Sequence, residues 1–74
     1  MADKALWVKP DGSPVACKEK IKVLNENLEE LRAMMTDALE DALVLGCSEK
    51  NIREVLHHLV DSVKTDVREN NNAL

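Results

Sequence analysis

The stretch Pro14 to Leu45, PVACKEKIKVLNENLEELRAMMTDALEDALVL, decides the fold. After its first residue it holds neither glycine nor proline, and Ile21, Leu24, Leu28, Leu31, Met35, Ala38, Ala42 and Leu45 recur at alternating spacings of three and four. A period of about 3.5 residues places all of them on one helical seam, with Cys17 one step earlier. The apolar stripe is narrow in its first half, where only Val23 lies outside it. Met34, Leu39 and Leu43 widen it in the second half. The first half therefore suits one packing neighbour and the second half two.

Beyond this stretch, Gly46 ends the helix as a left-handed position without a Cβ penalty, and Ser48 is placed to cap a second helix with Glu49 at its positive end. So short a connection folds the helices back as neighbours. The second helix is expected from Glu49 to about Arg68, with Ile52, Val55, Leu56, Leu59, Val60, Val63 and Val67 on one broad face. The closing Glu69-Asn70-Asn71-Asn72 has no apolar period and reads as a polar tail.

Before the long helix, Leu6-Trp7-Val8 precedes Lys9-Pro10-Asp11-Gly12-Ser13. Pro, Asp and Gly supply a fixed φ, a turn-capping carboxylate and a residue free to take positive φ. This reads as a short strand and tight turn, pairing with Val15-Ala16. The same residues also allow Ser13 to act as N-cap with Pro14 as first helical residue. The expected fold is thus all-α: a two-helix antiparallel hairpin with helices 14–45 and 49–68, preceded by a β-strand and turn arm and dimerising into a four-helix assembly. As domains, this gives an arm at 1–13, a hairpin at 14–68 and a disordered polar tail at 69–74.

Self-association follows from lengths and charge. The chain has 74 residues, is 45% hydrophobic and contains a single aromatic residue, Trp7, so its core must be small and aliphatic. A helix over 14–45 is roughly 48 Å long, whereas the apolar part of the second covers about 24 Å. Ile21, Leu24 and Leu28 are therefore expected to stay exposed in a monomer, which marks an interface. Lys18, Lys20 and Lys22 lie near the start of the long helix and Asp37, Glu40 and Asp41 near its end, both unfavourable for the helix's own dipole. An antiparallel copy centred near Leu31 brings the two groups together. The expected dimer interface is Cys17, Ile21, Leu24, Leu28, Leu31, Met35 and Ala38. A parallel or arm-swapped dimer remains open at this level.

The net charge of −4 opposes binding to phosphate backbones. The expected partners are a second copy and, through Leu6, Trp7 and Val8 as an anchor, another protein. Neither a signal sequence nor a membrane-spanning run stands out, and two cysteines are too few for a secreted disulfide framework, so a cytoplasmic location with reduced thiols is expected. In one chain Cys17 and Cys47 would lie more than about 40 Å apart, which excludes an intrachain disulfide. Across an antiparallel dimer they approach each other.

Glu54-x-x-His57 has the ligand spacing of di-iron bundles, but both side chains point away from the apolar face of the second helix. They read as solvated, and no metal or cofactor is expected. Phosphate-binding glycine loops and nucleophile–base pairs are missing as well, so the chain reads as non-enzymatic. One pattern competes. Residues 42–57, with Ala42, Gly46 and Ile52, resemble the helix-turn-helix signature, which would make Lys50, Asn51 and Arg53 DNA contacts. A capping pair of Asp37 and Glu40, breaking the long helix near Thr36, would supply its third helix.

Overall fold

A computed structural model of the chain describes residues 6–70. It forms a helical hairpin of α1, Lys18–Val44, and α2, Glu49–Ser62. The helix-favouring, glycine-free stretch runs through Thr36 without a break. The Thr36 hydroxyl donates to the carbonyl of Arg32 at 2.8 Å, one turn back inside the helix. Asp37 and Glu40 therefore begin no third helix, and the break that the helix-turn-helix alternative would require is not formed.

Both helices are shorter than the sequence suggested. α1 starts at Lys18 instead of Pro14 because the residues before it are committed elsewhere. Val8 and Pro14 form an isolated antiparallel bridge, and the Val15 N–H donates to the Trp7 carbonyl at 3.0 Å. Among the described residues this bridge is all the β-structure there is, so the arm's expected strand reduces to one bridge; residues 1–5 of the arm lie outside the described residues.

A tight turn joins the two sides of the bridge. The Gly12 N–H donates to the Lys9 carbonyl at 2.9 Å, and the Lys9 N–H donates to the Ser13 carbonyl at 2.7 Å. Gly12 adopts φ 89°, a value that side chains disfavour. Ser13 donates from its N–H and its hydroxyl to Oδ1 of Asp11, at 2.9 and 2.6 Å, and so closes the turn instead of capping the helix. Cys17 occupies the N-cap position without a side-chain cap bond, outside the helix whose seam it was expected to join.

The turn between the helices is well specified. The Cys47 N–H reaches the Ala42 carbonyl at 2.9 Å and the Gly46 N–H reaches the Leu43 carbonyl at 3.2 Å, the paired bonds of a Schellman motif, with Gly46 at φ 105°. Two residues later Ser48 Oγ accepts from the Asn51 N–H at 3.0 Å and caps α2. An exit cap and an entry cap this close leave no slack, and α2 returns along α1.

α2 ends at Ser62, short of the expected Arg68. The Ser62 hydroxyl bonds the Leu59 carbonyl at 2.8 Å, and Val63 turns to extended geometry at φ −70°, ψ 133°. Val63, Thr65 and Val67 are β-branched, and Thr65 Oγ1 accepts from the Val67 N–H at 3.0 Å, a local bond that competes with helix. Val63 and Val67 consequently leave the helical face. The chain beyond them runs back towards the start of α1, where Asn70 shares a cleft with Val8, Lys9, Pro10, Val15, Lys20 and Leu24. Residues 71–74 of the expected tail lie outside the described residues.

The result is elongated, with extents of 46 × 28 × 20 Å and a radius of gyration of 15.8 Å. A compact domain of this length would have a radius of gyration of about 11 Å.

Candidate interaction face

Two neighbours divide the seam of α1 between them. Over its C-terminal half lies α2, where Leu39 and Ala42 of α1 and Ile52 and Leu56 of α2 are half-buried. The N-terminal half carries the arm: the Trp7 indole Nε1–H donates to Oδ1 of Asn25 at 2.7 Å, and Trp7, Val15, Ile21, Leu24 and Leu28 are all half-buried. Ile21, Leu24 and Leu28, expected to stand exposed in a single chain, are thus partly covered from within the chain. The sequence reading missed the geometry that makes this work. Asn25 lies on the same side of α1 as Ile21 and Leu28, and its amide gives the indole N–H a partner that no aliphatic neighbour could supply.

Partial cover is all that the single chain achieves. None of the described residues is buried, and the chain exposes 6908 Å². Surface scaling for a folded monomer of 8.3 kDa gives about 4,600 Å².

Of the expected interface residues, Cys17 and Ala38 are exposed, as are Leu31 and Met35 in part. The structure brings Leu28, Leu31, Met35 and Leu39 of α1 together with Arg53, Leu56 and Val60 of α2 around an open groove of about 570 Å³, whose α1 edge is completed by Arg32 and Thr36. Met34, Val55 and Leu59, expected to broaden the apolar faces of the two helices, are 67%, 51% and 55% exposed. Within the arm, Leu6 and Val8 face solvent while Trp7 lies against its own chain's α1.

The alternative nucleic-acid residues sit on the first turn of α2. Arg53 Nε holds Oε2 of Glu49 at 2.8 Å in an exposed i, i+4 pair, and the Asn51 N–H is engaged by the cap. No third helix accompanies them among the described residues. Both cysteines are free and exposed. Among the described residues no three His, Cys, Asp or Glu side chains come together as a metal-holding group, and no helix is long and apolar enough to cross a membrane. Comparison of the chain with protein-family models, curated proteins and solved structures finds no match.

Proposed function

We propose that this chain is a non-catalytic interaction protein that works as a homodimer, its helical hairpin completing a core only when a second copy is present. The observation that carries this reading is the missing core. A chain of this size normally hides about 60% of its unfolded surface. With 6908 Å² left exposed, the fraction hidden here is nearer 43%, taking about 12,000 Å² for the unfolded chain. None of the described residues is buried, so one chain on its own closes no core. A helical dimer with aliphatic faces serves as an adaptor or regulatory subunit more readily than as a catalyst.

Mass action supplies the test. If folding and association are one event, the thermal midpoint followed by circular dichroism rises with protein concentration. A midpoint unchanged over a hundredfold range of concentration contradicts the reading.

A further inference from the structure

Several of the hairpin's exposed apolar side chains share one side, while Leu43, Val44 and Val60 stand exposed on others. At about 100° per residue, Met34 and Ala38 are rotated away from Leu39 and Ala42, the α1 residues that meet α2. Val55 and Leu59 are rotated in the same sense from Ile52 and Leu56, the α2 residues that meet α1. In an antiparallel pair, equal rotational senses on the two helices turn towards the same side. The opposite sense leads on both helices to the polar-edged groove, where Arg32 and Thr36 line one wall and Arg53 and Val60 the other. The side holding Met34, Ala38, Val55 and Leu59 also carries Val23, with Asn27 and Ser62 as polar residues along it. Exposures of 67% for Met34, 51% for Val55 and 55% for Leu59 are high for large apolar residues in the middle of helices.

We infer that this side of the hairpin is where a second copy docks, antiparallel, about a two-fold axis passing between Leu31 and Met34. The inference rests on the reading of the chain as a homodimer, and it replaces the seam as the contact surface. Ile21, Leu24 and Leu28 of the seam already have the arm, whereas the Met34 side has no neighbour within the chain. Three observations select a second copy as the occupant. No described residue is buried, so a single copy leaves its aliphatic faces without a core. Leu31 is the midpoint of α1, so the apolar centre of the helix meets itself across the axis. Lys20 and Asp41 share this side near opposite ends of α1, so an antiparallel copy brings each towards the other's counterpart, and the acidic end of α1, which has no basic residue in its last turn, gains a cation.

The same arrangement brings Cys17 of each copy beside Cys47 of the other, and both thiols are exposed. A short bifunctional maleimide on the native protein should therefore produce a covalent dimer whose linked peptides join Cys17 to Cys47. Either Cys17→Ser or Cys47→Ser should abolish it. Linkage of Cys17 to Cys17, surviving in Cys47→Ser, overturns the antiparallel arrangement while leaving the homodimer intact.

Surface variants test the face. Met34→Lys and Leu59→Lys should each reduce the light-scattering mass from twice to once the chain mass. Val44→Lys, at an 86% exposed position on another side of α1, should leave it doubled. Dimers of unchanged mass in both Met34→Lys and Leu59→Lys overturn the face; a monomeric unmodified chain overturns the homodimer itself.

Discussion

The Trp7 indole and the Asn25 side-chain amide, 18 positions apart in sequence, meet at 2.7 Å and tie the N-terminal arm to the first third of α1. The arm takes the end of α1 that α2 is too short to reach, where Ile21, Leu24 and Leu28 are half-buried.

Trp7 is the only aromatic residue, so its fluorescence reports the arm alone. Asn25→Ala removes the indole's partner, and the emission should shift to longer wavelength and become more open to quenching by iodide while the far-ultraviolet helical signal persists. Emission identical to that of the unmodified chain would show that the arm does not depend on this bond.

Gly46 should resist substitution for a backbone reason only. A Cβ there meets nothing within 4 Å, but φ is +105°. Gly46→Ala should destabilise the fold by about 1–2 kcal/mol in urea titrations at fixed protein concentration, through the left-handed penalty alone, and Gly46→Asn by less. A neutral Gly46→Ala would mean that the hairpin turn is not held as described.

Ser48 caps α2 through the Asn51 N–H. Ser48→Ala should cost about 1 kcal/mol by the same titration, whereas Ser48→Asp, which keeps the acceptor and adds charge at the positive end of the helix, should cost little. Equal losses in the two variants would argue against a capping role.

Arg53 separates the interaction reading from the nucleic-acid one. Its ion pair with Glu49 is more than half exposed on both sides, so Arg53→Ala should change stability by no more than a few tenths of a kcal/mol. In gel-shift assays the unmodified chain should not retard duplex DNA even at low salt, where phosphate contacts are strongest. A retarded band that Arg53→Ala removes would favour the helix-turn-helix reading.

Much of the fold could be read from residue spacing. The two helices, the Gly46 exit and the Ser48 cap are local signals, carried by residues within a turn of one another. The helix ends were harder because their competitors are not local in the same way. Pro14 and Val15 satisfy helix-start rules, yet they bond back to Val8 and Trp7. Val63 and Val67 keep the helical apolar period, but β-branching and the Ser62 and Thr65 hydroxyls draw the backbone away from helix. The heptad seam showed where apolar residues gather without showing which neighbour takes which part. Asn25 is polar and sits between apolar seam positions, and nothing in its spacing marks it as the partner of Trp7. Met34, Val55 and Leu59 looked like a broadening of the apolar faces and stand exposed.

If one chain is half of the folded unit, the native mass must be twice that of the chain. Size-exclusion chromatography with light scattering at micromolar concentration should give a single species of twice the 8.3 kDa chain mass. A clean, helical species of 8.3 kDa under the same conditions would contradict the account.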